Sequence, residues 1–190
     1  MAVPTPPNLR RRTSRPLLAA PADAEALARL WRHAMSAWAG GESSLAQLNR
    51  SARLGAEKLL PRALLTGCAL GVRRGDEWVG MAILDLEQAE LHGPYIAPDW
   101  QGQGLGRRLV TAAERRSTEF QLLRLAANAF LPALPFFQAC GYEPLAGTRP
   151  ERQPGAGLPV LTVRRRFPRR RTRYGRRIDA LARELGLPLD

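Results

Sequence analysis

The chain has 190 residues, with 29 lysines and arginines against 17 acidic residues, a formal net charge of +12 and a pI near 11.4. That length suits one domain with a real hydrophobic core, and 45% hydrophobic with 24% charged residues excludes a mainly disordered chain. Two cysteines, Cys68 and Cys140, exclude a disulfide scaffold, and no apolar run reaches the ~18 residues of a membrane span. The longest apolar stretch, Ala63 to Val72, is broken by Thr66, Gly67 and Gly71. The first residues carry no apolar signal-peptide core. With two free thiols this predicts a cytoplasmic protein. Lys58 is the one lysine, so the basic excess is arginine. Residues 1–163 have a net charge of +5 and residues 164–190 a net of +7.

Residues 1–9 are proline-rich and polar and read as a disordered lead-in. Arg10 to Ala19 reads as a first strand. Pro21-Ala22-Asp23 opens a helix whose Leu27, Leu30, Trp31 and Ala34 recur at helical spacing. Gly40-Gly41 is a break, and Ser44 to Arg62 reads as one or two further helices. Cys68 to Val72 and Trp78 to Leu84 flank a polar, glycine-containing connection, which is a hairpin signal. Glu90 to Ala97 is a third extended segment. Its Gly93-Pro94 cannot complete a ladder, which predicts a bulge or an open edge. Gly104 to Arg116 is the clearest helix. Leu105, Leu109 and Ala113 share one face, while Arg107, Arg108, Glu114 and Arg115 read as polar surface. Leu122 to Ala127 reads as a strand and Leu131 to Cys140 as a short helical turn stopped by Gly141. Tyr142 to Ala146 and Leu158 to Arg165 read as closing strands. This order predicts an α/β or α+β sheet with helices on both faces.

The informative stretch runs from Tyr95 to Val110. An extended segment feeds a glycine-rich loop that opens directly into a helix. Gly102, Gly104 and Gly106 let the backbone turn tightly and approach a ligand. The first amides of the helix have no internal acceptor, and the helix dipole favours an anion there. A phosphate or pyrophosphate is the natural guest, with Arg107 and Arg108 adding positive charge. A Gly-Lys-Ser/Thr ending is missing, so the loop is not a nucleoside-triphosphate P-loop. The glycines do not fit a dinucleotide fingerprint either. The spacing that fits is Gln101-x-x-Gly104-x-Gly106.

That spacing, preceded by Ile96-Ala97-Pro98, resembles the pyrophosphate loop of the GNAT superfamily of N-acetyltransferases. The segment Asn128 to Tyr142 is similar to a second stretch of that family. The resemblance covers residues 10–166, and its specific part is 94–142. It implies a mixed, largely antiparallel central sheet splayed in the middle, with helices on both faces. Acetyl-CoA would be the co-substrate, with no metal. It would pair with backbone groups of Tyr95, Ile96 and Ala97. Its pyrophosphate would sit on Gln101, Gly102, Gln103, Gly104, Leu105, Gly106 and Arg107. Asn128 and Phe137 would complete the cofactor site. Acetyl would pass directly to an amine. Phe137 stands where the family's usual proton-donating tyrosine falls, which leaves Tyr95 and Tyr142 as the nearby phenols. Tyr142 reads as packed. Glu90 and His92 lie two apart on one strand and share a face, which makes them the candidates for the general base, with Glu87 behind them. His33 reads as surface or pocket wall, Trp31 and Trp38 as core or pocket lining, and Cys140 as core.

Residues 167–190 form an arginine-rich extension. Arg164 to Arg177 holds nine arginines, and Ile178, Leu181 and Leu185 form the stripe of a short amphipathic helix. Contact with nucleic acid or an acidic partner is one reading. Docking of the helix on the body or on a twin subunit is the favoured one. Two functions follow from the whole sequence. The first is acetyl transfer to a small-molecule or peptide amine. The second is a catalytically weak scaffold that binds a partner through the basic tail. No membrane role is expected.

Overall fold

The computed structural model describes residues 15–39 and 43–167. The lead-in over 1–9, Gly40-Gly41 and the tail helix expected after Arg177 lie outside them. Eight strands form one sheet: β1 (Leu17–Leu18), β2 (Ala69–Arg74), β3 (Glu77–Asp85), β4 (Glu90–Ile96), β5 (Arg124–Phe130), β6 (Glu143–Pro144), β7 (Glu151–Arg152) and β8 (Pro159–Arg166). Their order is β1-β2-β3-β4-β5-β8-β6, with β7 also on β8. Every pairing is antiparallel except β4 with β5. The sheet is therefore mixed and largely antiparallel, as expected.

Five helices cover the sheet: α1 (Ala24–Ser36), α2 (Leu45–Lys58), α3 (Leu60–Leu65), α4 (Leu105–Glu119) and α5 (Leu134–Ala139). The apolar face of α1, with Leu27, Leu30, Trp31 and Ala34, is buried. Helix α2 begins at a capping box, where Gln47 N–H donates to Ser44 Oγ and Ser44 N–H donates to the Gln47 side chain. Trp31 lies over Gly55 of α2, where a Cβ would come within 2.3 Å of its ring. Helix α4 packs on the opposite face through Leu105, Leu109, Val110 and Ala113. Strand β3 is covered on both sides, and its residues from Trp78 to Leu84 are all buried. No described helix is long and apolar enough to cross a membrane.

Three expectations shift. The first strand, read over Arg10–Ala19, is two residues long among the described residues, because Ala20 already turns into a 3-10 turn at Pro21–Asp23. Strand β5 starts two residues later than Leu122 and runs on to Phe130, so Asn128 is a strand residue. Glu114, read as polar surface, is 9% exposed. It pairs at 3.0 Å with Arg165 of β8. Burial raises its carboxyl above the usual range, while the Arg165 charge pulls it back.

Asp23 locks the entry of α1 to the hairpin. Its carboxylate accepts from Ala20 N–H at 2.9 Å and from Trp78 Nε1 at 3.1 Å, and it pairs with Arg73. The Ala20 amide first, then Trp78 and Arg73, hold its carboxyl below the ordinary value despite burial. A depressed pKa contributes stability above the ordinary carboxylate range, and that stability is lost as pH falls through the depressed value. Asp23→Ala is expected to cost about 1–3 kcal/mol at neutral pH, from the lost charged hydrogen bonds. The gap to the wild type should shrink toward about pH 3, below the usual aspartate pKa. Urea unfolding of both proteins across that range checks it.

Candidate active site

The site begins where the sheet opens. Strands β4 and β5 meet at one register pair, Glu90 with Ala126, and Ala126 N–H donates to Ala89 O at 2.9 Å. On β3, Ile83 faces His92 and Met81 faces Tyr95, so three residues of β4 span two of β3. This is the bulge expected at Gly93-Pro94, whose peptide bond is cis. The extra residue puts Tyr95 on the same side of the sheet as His92 and Glu90. That side faces α1, and the Tyr95 ring lies 4.5 Å from that of Trp31.

Beyond the bulge lies a cavity of about 370 Å³. One wall is Pro94, Tyr95 and Ile96, and the opposite wall is Pro132, Ala133, Phe136 and Phe137. The floor is the loop and first turn of α4, from Gln101 to Arg107, and Ala34 of α1 and Trp38 in the turn after it close one side. The glycine loop is built as an anion cradle. Gly104 holds φ +76°, a left-handed conformation that other residues adopt at a cost. A Cβ on it would meet nothing within 4 Å, so the space before it is open. The first helical bond of α4 runs from Arg108 N–H to Gly104 O at 3.2 Å. The amides of Leu105, Gly106 and Arg107 thus have no acceptor within the helix. Gln101 donates to Ile96 O and Gln103 to Asp99 O, so both side chains brace the loop itself. Arg107 donates to Ala139 O at 3.0 Å while lining the cavity.

Glu90 and His92 share a face and stand 3.8 Å apart, Nδ1 to Oε1. Asn128 Nδ2 donates to Glu90 Oε1 at 2.8 Å, and Thr162 Oγ1 donates to Asn128 Oδ1 at 2.9 Å. This chain crosses three strands, and the sequence reading missed it. The signal was present: Asn128 and Thr162 alternate with the buried Ala127, Ala129, Leu161 and Val163. Asn128 therefore turns toward Glu90. His92 Nε2 is buried without a hydrogen-bond partner among the described residues.

The remaining candidates separate. Burial first, then the Glu90 charge, pushes the Tyr95 phenol well above its ordinary value. Tyr142 is 1% exposed, and its ring packs edge-on to Phe137 at 5.5 Å. Burial first, then the Glu114 charge, pushes its phenol up as well. Ala97 is buried and donates to Val79 O. Glu87 hydrogen-bonds Arg62 at 2.7 Å and sits apart from the cavity. His33 is exposed, Trp38 lines the cavity, and Cys140 is buried, with burial raising its thiol.

Comparison with known proteins agrees with this architecture. The chain belongs to the Acetyltransferase (GNAT) family, whose profile matches residues 27–142. No curated protein matches its sequence. Among solved structures, a GCN5-related N-acetyltransferase from Rhodopseudomonas palustris has a TM-score of 0.67 at 22% identity. The match covers 82% of this chain and 97% of that one. PaiA N-acetyltransferase from Thermoplasma acidophilum, in complex with coenzyme A, has a TM-score of 0.60 at 15% identity. It covers 82% of this chain and 100% of its own. YncA from Salmonella typhimurium, with acetyl-CoA, has a TM-score of 0.58 at 16% identity over 85% and 98% of the two chains. At these identities the likeness is one of fold.

The cradle makes a direct prediction. Gly104→Glu places an anion before the free amides and a side chain at a left-handed position. Affinity for acetyl-CoA should fall at least ~100-fold, the scale of about 3 kcal/mol. Folding should lose only the ~1–2 kcal/mol of a strained residue. Calorimetric titration with acetyl-CoA beside a thermal melt tests both.

Proposed function

We propose that the protein transfers acetyl from acetyl-CoA directly to a primary amine of a small molecule or peptide. The observation that carries this reading is the β4 bulge, which sets Glu90, His92 and Tyr95 on one face beside the mouth of the opened sheet. Acetyl-CoA would supply an activated thioester. Tyr95 and Ile96 would hold its pantetheine arm along the edge of β4 that faces away from β3. The amides of Gly102 to Arg107 would hold its pyrophosphate. Phe136 and Phe137 would exclude water from the opposite side.

An amine attacks only as the neutral base. Glu90 is the carboxylate that takes its proton, held toward the opening by Asn128 and, through it, by Thr162. His92, with its buried Nε2 unpartnered among the described residues, is placed to relay that proton or orient the amine. Tyr95 keeps its proton, because its phenol is raised rather than lowered. It can donate a hydrogen bond to the departing sulfur but is a poor source of a full proton. Phe137 has none to give.

Glu90→Gln retains the acceptor oxygen for Asn128 and removes the base. It should lower kcat about 10²–10⁴-fold, the usual scale for a positioned general base. Acetyl-CoA binding should stay intact. Release of free CoA thiol against a panel of primary amines, beside a binding titration, checks this. Phe137 favours a second reading, a scaffold that binds the cofactor without efficient transfer. Wild-type binding without CoA release from any amine in the panel would select it.

A further inference from the structure

We infer that the acceptor is a small amine carrying its own carboxylate, and that Arg164 reads that carboxylate. The inference rests on the acetyl-transfer reading and deepens it. Along β8, Arg165 points to α4, where it pairs with Glu114. Arg164 therefore leaves the strand on the other side, the side of Thr162, Asn128 and Glu90. Arg164 stands opposite Ala126, and Ala126 stands opposite Glu90. Glu90 and Arg164 thus form one row across β4, β5 and β8, about 10 Å apart at the backbone, the width of two strand spacings. Only the methyl group of Ala126 lies between them in that row.

The two charges do not satisfy each other. Glu90 accepts from Asn128 instead. The Arg164 side chain has no ion pair or hydrogen bond among the described residues; its buried Nε is unpaired, as are those of Arg73 and Arg116, but their terminal nitrogens do find carboxylates. Its cross-strand neighbour on β6, Glu143, is exposed and forms no ion pair with it. Three of the partly buried arginines have carboxylate partners: Arg73 has Asp23, Arg116 has Glu119, and Arg165 has Glu114. An unpaired buried donor is costly, and the acceptor of a ligand is one group that would satisfy it. A second unpartnered buried nitrogen, His92 Nε2, lies on the same face beside Glu90.

A fixed negative group and a fixed positive group, held apart on one wall, complement a zwitterion. The ammonium end would face Glu90 and His92, where it must lose its proton. The carboxylate would face Arg164, whose planar fork matches it with two parallel hydrogen bonds. A single carboxylate balances the single guanidinium.

The test compares two acceptor pools with the full-length protein, reading CoA thiol release. One pool holds the common amino acids, and the other holds their C-terminal amides. The amides have the less basic amine, so more of it is neutral and intrinsic reactivity favours them. The wild type should nonetheless acetylate the acids at least ~10-fold faster in kcat/KM, the worth of a charge-assisted pair. Arg164→Gln should bring the acid-to-amide ratio near one, through the KM for the acids. Arg164→Lys should retain part of the preference. Acetyl-CoA titration of each variant shows whether it has folded, and the wild-type ratio stands without any variant. A wild type that acetylates amides as fast as acids overturns this inference alone. So does an Arg164→Gln ratio equal to that of the wild type. A wild type that acetylates neither pool but releases CoA with another primary amine overturns this inference alone, and one that binds acetyl-CoA yet releases CoA with no primary amine overturns the acetyl-transfer reading together with it.

Discussion

The loss of ladder partners between β4 and β5 is the constraint on which the rest of the structure depends. Buried backbone N–H and C=O groups are almost always paired, and each orphan costs about 1–3 kcal/mol. After Glu90 the two strands stop pairing, yet β4 continues to Ile96 and β5 to Phe130. The fold tolerates this because the freed edge faces a cavity rather than packed side chains. The other edge of β4 stays bonded to β3 up to Ile96, and Ala97 extends it through Val79. The cavity therefore has a rigid wall that carries unused backbone groups. The loop that follows leads straight from that wall into α4, so the free helix amides lie next to the free strand edge. The bulge comes from the same segment. It turns Tyr95 onto the face of Glu90 and His92, and it joins the freed edge to the polar chain.

The arginine excess is a weaker guide than its size suggests. Much of it within the described residues is structural. Arg73 lies over Trp78 and pairs with Asp23, Arg74 lies over Trp100, and Arg116 lies over Phe120. Arg62 meets Glu87, and Arg165 meets Glu114 and the Cys140 carbonyl. In these contacts the long side chains cover apolar surface as much as they carry charge. The proposed role of Arg164 rests on its position and on its lack of a protein partner among the described residues, not on membership of a basic run.

The architecture and the glycine-rich junction between β4 and α4 were readable in the sequence because both depend on local chemistry. Glycines at a strand-to-helix junction, a proline inside a strand and the apolar period of α4 each constrain the backbone where they stand. The cross-strand chain was not readable. Glu90, Asn128 and Thr162 are 34 and more residues apart, and only the register of β4, β5 and β8 brings them together. The boundary of β5 shows why. Leu122 and Leu123 look like the start of a strand, but Leu123 is 44% exposed beside a turn at Gln121, where φ is +60°. Ladder pairing begins at Arg124. That shift moves Asn128 from after the strand into it, where its side-chain amide reaches Glu90. Glu114 misled in the same way. Its helical position looked solvent-facing until β8 laid Arg165 over it.

In the proposed acetyl transfer, Phe137 leaves the departing sulfur without a proton donor at that position. Its ring is 5% exposed, and Phe136 and Tyr142 pack edge-on to it, each with ring centroids 5.5 Å away. It serves the apolar wall of the cavity. Tyr95 lines the opposite wall, but burial and the Glu90 charge strengthen its hold on its proton. Neither residue is a strong acid toward the leaving sulfur. A thiol has a pKa of only ~8.5, so its anion departs tolerably without one. An ammonium cannot attack at all until it is deprotonated. On the proposed reading the chemistry of this wall is weighted toward the nucleophile, where Glu90, His92, Asn128 and Thr162 stand. A site that invests in the amine rather than in the leaving group gains most from holding the amine in one orientation. The proposed role of Arg164, a charge fixed on the far side of the same wall, is to supply that hold.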